Sequence, residues 1–185
     1  MGKSIFKVIY DGYGEVTMGD NSLVYYPKIA TSPDETHACL VLLKETIGKK
    51  YKRFSLKFKG EVVEQLRQGS SPNTWETMWI IFNYKGDGGE NESGTYVVHR
   101  TNGTEMGQFV NLDQTYLATN DKIPCVIGQF YDYEIIKTET SYEFKINGKS
   151  VIKHTNNKIK PTGSIGFYCE DAKISLSNIQ FKGEL

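Results

Sequence analysis

YDYEIIKTETSYEFKINGKSVI, residues Tyr131–Ile152, contains the most regular pattern in the sequence. Apolar and polar residues alternate in Tyr131–Lys137 and again in Tyr142–Ile146, a period typical of strands with one buried face. Asn147-Gly148 follows, and this pair favours a two-residue hairpin turn because both positions tolerate positive φ. The stretch therefore predicts three consecutive antiparallel strands.

The same alternation occurs along the rest of the chain. Arg53–Gly60 places apolar residues on one side and charged residues on the other, which predicts one face in the core and one in water. Glu61–Leu66 either extends that strand or makes a helical turn. His37–Lys44 is apolar on both sides, which predicts a central strand. Asp113–Pro124 has no clear period and is expected to be irregular.

We find no helical periodicity and no long internal repeat. Short strands separated by turns predict an all-β fold, and several strands with one polar face favour two packed antiparallel sheets. The length of 185 residues is that of a single β-sandwich domain, residues 1–185.

The net charge and the length of the apolar runs bear on whether nucleic acid or a membrane is a partner. The 22 Lys and Arg residues balance the 22 Asp and Glu residues, so the formal net charge is zero. Proteins that bind nucleic acid or anionic membranes usually carry a basic excess, and we expect neither partner here. No apolar run approaches the ~20 residues that span a bilayer, so no membrane span is expected.

The cysteines and the first residues bear on the compartment. Cys39, Cys125 and Cys169 lie far apart, and their spacing is not that of a metal site. We expect buried thiols, with one disulfide plus a free thiol as the alternative. No apolar signal region precedes the strand-like run Ser4–Tyr10. The protein is therefore expected to be either cytosolic or extracellular with its leader absent from this sequence.

Three stretches carry a family resemblance. Tyr131–Ile152, then GSIGFYCEDAKISLSNIQF at Gly163–Phe181, and the Trp-rich run Trp75–Tyr84 resemble the concanavalin A-like lectin/glucanase superfamily. That superfamily includes laminin-G-like domains and domains related to family 16 glycoside hydrolases. The resemblance implies a jelly roll whose concave sheet meets sugar chains, and it is more specific for fold than for function.

The resemblance also raises two enzymatic alternatives. Family 16 hydrolases carry carboxylates in a Glu-x-Asp-x-x-Glu pattern, which is absent here, so that mechanism is not expected. Polysaccharide lyases of this fold use His, Arg, Gln and Tyr on the concave sheet. His99, Arg100 and Gln108 are candidates for such a set. However, adjacent residues of a strand point to opposite faces, so His99 and Arg100 line one groove only if a bulge intervenes.

Carbohydrate binding needs aromatic platforms beside planar hydrogen-bonding groups. Trp75, Trp79 and Asn83 share one face of their strand by parity, although Trp79 is equally well placed for a core role. The expected ligand-binding residues are Trp75, Trp79, Asn83, His99, Arg100 and Gln108.

Calcium is the one cofactor that the resemblance suggests. The acidic segment Lys85–Gly94 supplies the oxygen ligands that Ca²⁺ prefers. The expected metal ligands are Asp87, Glu90 and Glu92. Asp11 with Glu170 and Asp171 forms an alternative set if the first and last strands are neighbours.

The sequence thus favours non-catalytic binding of an oligo- or polysaccharide on the concave sheet, with no catalytic residue assigned. The binding module is expected at the cell surface or outside the cell, within a larger protein that has other domains. A polysaccharide lyase or glycosidase that uses the same groove is the first alternative. A structural or adhesion module that contacts protein is the second.

Overall fold

The strands of the computed structural model form two sheets of seven strands each. The described residues are 4–86, 88, 91–111, 113–156, 159 and 161–185. In chain order the strands are β1 Phe6–Tyr10, β2 Glu15–Met18, β3 Ser22–Tyr26, β4 Ala38–Leu43, β5 Arg53–Gln65, β6 Met78–Lys85, β7 Ser93–Arg100, β8 Gly103–Val110, β9 Asp113–Asn120, β10 Phe130–Lys137, β11 Ser141–Ile146, β12 Lys149–Thr155, β13 Gly166–Glu170 and β14 Ala172–Glu184.

The first sheet has the strand order β1-β4-β13-β6-β7-β8-β9, and the second has the order β12-β11-β10-β5-β14-β3-β2. Neighbouring strands pair antiparallel throughout. The chain changes sheet several times, for example between β13 and β14. The predicted two-sheet antiparallel sandwich is therefore confirmed.

Helical structure is almost absent from the part of the chain that the structure describes. A 3-10 turn, Lys44–Thr46, joins β4 to the segment before β5. Within the described ranges, no helix has the length and apolar character that crossing a bilayer requires.

The predicted hairpin is confirmed in register and in turn. In the β10–β11 hairpin, Tyr133 pairs with Ile146 and Lys137 with Tyr142; in the β11–β12 hairpin, Ile146 pairs with Lys149 across the Asn147-Gly148 turn. Asn147 and Gly148 have φ of 49° and 77°, the left-handed values that a type I′ turn requires at both positions. The sequence therefore specifies this part of the second sheet by local chemistry alone.

The other strand predictions have mixed outcomes. The segment after Gly60 continues β5 to Gln65, so it forms a strand and not a helical turn. β4 lies between β1 and β13, which confirms a non-edge position. The irregular structure expected at Asp113–Pro124 is wrong, because Asp113–Asn120 forms β9. β9 is an edge strand with mostly exposed side chains, so burial imposes little period on its sequence.

The core lies between the sheets and is largely aromatic. Phe58 of β5 stacks on Tyr133 at 5.1 Å between ring centroids, and it meets Phe167 of β13 edge-on at 5.1 Å. The contact between Phe58 and Phe167 joins the second sheet to the first. The cysteines are buried free thiols, as expected, and burial raises the pKa of the Cys39 thiol to about 12.

Candidate functional site

The outer face of the first sheet, which points away from the second sheet, is apolar. It carries a cluster of buried residues separate from the core: Leu40, Leu42, Trp79, Ile81, Tyr84, Tyr96 and Val98. The outer face of an antiparallel sheet normally meets water and is polar. An apolar face with a concave depression is instead typical of a binding surface.

A pocket of about 280 Å³ opens on this face. Its floor is aromatic, because the register sets Tyr168 of β13 beside Trp79 of β6, and Ile81 beside Tyr96 of β7. The Trp79 ring centroid lies 4.7 Å from that of Tyr96 and 5.7 Å from that of Tyr168. The three rings therefore form a contiguous surface across three strands.

A β-bulge changes which residue of β6 faces the pocket. The pairing with β7 shifts between Phe82 and Lys85, and Asn83 takes φ of 58°. The bulge adds a residue to β6, so Tyr84, and not Asn83, reaches the pocket. The parity argument that placed Asn83 beside Trp79 is therefore wrong at this position.

The connection from β6 to β7 supplies one wall. Gly88 packs against β1, since a Cβ atom added there would lie 3.1 Å from Cδ1 of Tyr10. Glu92 accepts a hydrogen bond from the Tyr84 hydroxyl at 2.5 Å and a longer one from the Tyr10 hydroxyl at 3.5 Å. Burial, and then the Glu92 charge, raise the pKa of Tyr10 well above its usual value. The tyrosine therefore stays protonated and donates to Glu92.

Phe109 of β8 and Gln114 of β9 contribute to the pocket from the β8–β9 side. The Tyr96 hydroxyl donates to Oε1 of Glu105 at 2.8 Å, and Oε1 of Gln114 lies 3.2 Å from the same hydroxyl. Gly107, opposite Tyr96, makes room for this ring, because a Cβ atom there would fall 2.4 Å from the Tyr96 hydroxyl oxygen. Glycine at this position therefore permits the aromatic floor.

Glu170, at the end of β13, is the second carboxylate of the pocket. The Tyr168 hydroxyl donates to its Oε1 at 2.6 Å. Burial raises the pKa of Glu170, and hydrogen bonds from Tyr168 and Trp75 partly offset that rise. Trp75 is 42% exposed, and its carbonyl accepts the indole N–H of Trp79 at 2.8 Å. Trp75 therefore contacts Trp79 and Glu170, two residues that line the pocket.

A buried cluster of ion pairs lies next to Trp75 and Glu170. Arg67 donates from Nε to Glu76 at 2.6 Å and from one terminal nitrogen to Asp171 at 2.7 Å. The other terminal nitrogen donates to the carbonyl of Glu35 at 2.8 Å. Glu76 follows Trp75 and Asp171 follows Glu170 in the chain. The cluster therefore fixes the backbone that presents both pocket residues.

His99 does not belong to the pocket. It is fully buried on the inner face, with Nδ1 2.9 Å from the Tyr133 hydroxyl oxygen and Nε2 3.0 Å from the carbonyl oxygen of Ile123. The carbonyl can only accept, so Nε2 carries a proton, and the Tyr133 hydroxyl can donate to Nδ1 of the neutral ring. Burial lowers the pKa of His99 to about 4. The placement of His99 in the groove is therefore corrected: it is a core residue.

Arg100 and Gln108 lie away from the aromatic floor. Arg100 is on the outer face, where its guanidinium pairs with Glu105 and its Nε donates to Asn102 at 3.0 Å. Gln108 is exposed and alternates with Gly107 and Phe109, so it lies on the opposite side of β8 from the pocket. The structure thus separates the residues expected to form one lyase-like set.

Of the three expected metal ligands, the structure describes only Glu92. Asp87 and Glu90 lie outside the described residues, and Glu92 accepts hydrogen bonds from two tyrosines. In the described ranges, no three His, Cys, Asp or Glu side chains lie close enough together to hold a metal ion. The alternative set is also dispersed, because β1 and β14 belong to different sheets and Asp171 pairs with Arg67.

Most of the aromatic residues of the pocket are not among those predicted from the sequence. They are Tyr10, Tyr84, Tyr96, Phe109 and Tyr168. Tyr96 shares its parity with Val98 and Arg100, which is a signal for the outer face. Tyr168 and Glu170 share the same parity in β13. The register that brings these strands beside Trp79 is long-range and has no local signal.

No family model and no curated protein sequence matches the chain. Solved structures do match over nearly the whole length. The carbohydrate-binding module CBM66 from Bacillus subtilis is similar with a TM-score of 0.68 and 12% identity, over 97% of this chain and 96% of that one. A B. subtilis protein of unknown function with a galectin-like fold is similar with a TM-score of 0.66 and 13% identity, over 96% and 89%.

The potassium-bound carbohydrate recognition domain of Emp46p is also similar, with a TM-score of 0.61 and 9% identity, over 98% of this chain and 89% of that one. These identities are too low to carry function, and they establish the fold alone. The fold is a jelly roll of the concanavalin A-like type.

Proposed function

We propose that the protein binds carbohydrate in the pocket on the outer face of the first sheet. The observation that carries this proposal is the contiguous floor of Trp79, Tyr96 and Tyr168 with carboxylates at its margins. The C–H faces of a sugar ring stack on aromatic rings, and its hydroxyls donate to oxygen acceptors. CBM66 and the Emp46p domain, both named for carbohydrate binding, share this fold and support the proposal.

The size of the pocket suggests the extent of the ligand. Its volume of about 280 Å³ is just below the range for ligand pockets, roughly 300–1,000 Å³. We therefore propose that one or two sugar units enter, with Phe109 and Trp75 contacting them near the opening. For this glycan-binding role we also propose an extracellular or cell-surface location.

Binding accounts for the pocket better than catalysis does. A lyase needs a general base beside a group that neutralises the sugar carboxylate. His99 is enclosed in the core and Arg100 pairs with Glu105. The described lining contains aromatic rings, Gln114 and two carboxylates instead. Analysis of the sugar products after long incubation tests the enzymatic alternative, and cleaved products would replace binding with catalysis.

A glycan array tests the proposed function with a matched pair of variants. Phe109→Ala removes a half-buried ring at the pocket, whereas Phe130→Ala removes a half-exposed ring on the second sheet. We expect wild type and Phe130→Ala to bind the same glycans and Phe109→Ala to lose most of that signal. If folded wild type binds no glycan, or if both variants bind as wild type does, the proposal is wrong.

Calcium stays a proposal, with Asp87, Glu90 and Glu92 as its candidate ligands. The Emp46p domain is similar in fold and is known in a potassium-bound form, which supports ion binding only in general terms. The same array with and without a chelator is the test. Loss of glycan binding on chelation, restored by added Ca²⁺, is the result that would support it.

A further inference from the structure

The charged groups of the pocket all have the same sign. Glu92 lies on one wall and Glu170 at another margin, and none of the described lining residues is a lysine or an arginine. Arg67, whose charge acts on Glu170, is already shared between Glu76 and Asp171, and Arg100 pairs with Glu105. A ligand in this pocket therefore meets uncompensated negative charge.

The hydrogen-bond donors around the pocket point at these carboxylates. The hydroxyls of Tyr84 and Tyr10 donate to Glu92, and the Tyr168 hydroxyl donates to Glu170. The Tyr96 hydroxyl likewise donates to Glu105. A carboxylate has about four acceptor positions, so both pocket glutamates retain acceptor capacity after these bonds. Apart from the Gln114 amide, which can also donate, the lining thus offers acceptors and ring faces, and most of the donors have to come from the ligand.

Like the carboxylates, the aromatic rings favour a positively charged ligand. The faces of Trp and Tyr rings carry negative potential and attract cations, most strongly where water is excluded. Trp79 is 6% exposed, so water is largely excluded from its ring, whereas Tyr96 is fully buried and acts only through its neighbour Trp79, at 4.7 Å between ring centroids. A protonated amine is the sugar substituent that satisfies both the rings and the carboxylates. A uronic acid or another acidic sugar would place its charge against Glu92 and Glu170.

We propose that the pocket selects sugars with a protonated amine over neutral sugars and rejects sugars with a carboxylate. This proposal rests on the proposed function, because it specifies the ligand of the same site. Glu170 and Glu92 act as the residues that determine specificity, through charge and as acceptors.

Calorimetric titration with three oligosaccharide series of equal length tests this selectivity. Glucosamine oligomers carry amines, their N-acetylated counterparts have the same linkage without charge, and galacturonic acid oligomers carry carboxylates. We expect the amine series to bind about tenfold more tightly than the acetylated series. We expect no measurable binding of the acidic series.

Charge-removing variants locate the effect. Glu170→Gln and Glu92→Gln preserve shape and should each reduce the preference for the amine over the acetylated series. Glu139→Gln is the matched control, since Glu139 is exposed on the second sheet and pairs with Arg53. Because wild type alone distinguishes the three series, the test does not depend on the variants being folded.

The outcomes separate this proposal from the proposed function. Binding of amine and acetylated oligomers with equal affinity overturns the charge selectivity and leaves glycan binding intact, and tighter binding of acidic oligomers does the same. A preference for amines that Glu170→Gln and Glu92→Gln both leave unchanged also overturns it. If these oligomers and the glycan array both give no binding to the folded protein, the proposed function fails as well.

Discussion

The outer faces of the two sheets differ in what covers them. On the second sheet, Glu134 lies between Lys57 at 3.2 Å and Lys145 at 3.9 Å, and all three side chains are at least partly exposed. On the first sheet, the corresponding face carries Trp79 and Tyr96, whose ring centroids are 4.7 Å apart. The outer face of the second sheet is thus charged and solvated, whereas the outer face of the first sheet is aromatic and contains the pocket.

This difference explains which parts of the molecule the sequence predicts. In a strand with one polar and one apolar face, the sequence alone indicates which side chains face the core. The clearest strand predictions all fall on such strands of the second sheet. The central strands β4 and β6 of the first sheet are apolar on both sides, so alternation does not tell the core from the pocket. The residues of the pocket therefore have no sequence pattern that separates them from core residues.

The largest expected effect compares two arginine ion pairs. Arg67 is buried with Glu76 and Asp171 beside the pocket, whereas Arg53 and Glu139 are exposed on the second sheet. Arg67→Ala should lower the free energy of unfolding by about 3–5 kcal/mol, because it leaves two buried carboxylates without their partner. Arg53→Ala should change it by less than about 1 kcal/mol.

Urea unfolding of both variants measures this difference. Equal and small losses would mean that the buried cluster does not stabilise the pocket end of the sandwich. Arg67→Lys is a useful third variant, since a lysine cannot reproduce the forked contacts to both carboxylates, and it should recover only part of the loss.

The next largest effect is on the pH dependence of stability and concerns His99. His99 faces the core, whereas its neighbour Arg100 faces the outer side. The pKa of His99 is about 4 in the folded state and about 6.5 when unfolded, so the unfolded state binds more protons between these values. Stability therefore rises with pH through this window and falls as the pH drops from 7 to 5. The expected loss from His99 is about 2 kcal/mol.

Denaturation of wild type and His99→Gln at pH 7 and pH 5 measures the contribution of this histidine. The carboxyl groups of Glu170 and Asp171 have raised pKa values and act in the opposite direction, but they are common to both proteins. The difference between the two pH dependences isolates His99. Equal slopes in the two proteins would contradict a buried neutral histidine.

The fold and the candidate site were predictable to different degrees. The hairpin at Asn147-Gly148 and the long strand from Arg53 follow from local rules, and the jelly-roll resemblance supplied the rest of the architecture. Trp79 was recognised by residue type, and Trp75 by its position at a strand entrance. Tyr168 and Glu170 were not, because they reach Trp79 only through pairing of strands far apart in the sequence.

The smallest effect compares two asparagines with positive φ, one on each sheet. Asn83 forms the bulge in β6 with φ of 58°, and Asn147 begins the hairpin turn of the second sheet with φ of 49°. Alanine tolerates this conformation less well, so Asn83→Ala and Asn147→Ala should each lose about 1 kcal/mol of stability. Only Asn83→Ala should also weaken glycan binding, since the bulge brings Tyr84 to Glu92 in the pocket.

Asn83→Gly is the matched control, because glycine keeps the bulge without strain and should retain both stability and binding. Unfolding and glycan titration of the three variants separate a local backbone cost from a change in the pocket. If Asn147→Ala weakened binding as much as Asn83→Ala, the effect would come from overall stability. If Asn83→Ala bound as wild type does, Tyr84 would not need the bulge, and the outer face of β6 would tolerate regular pairing.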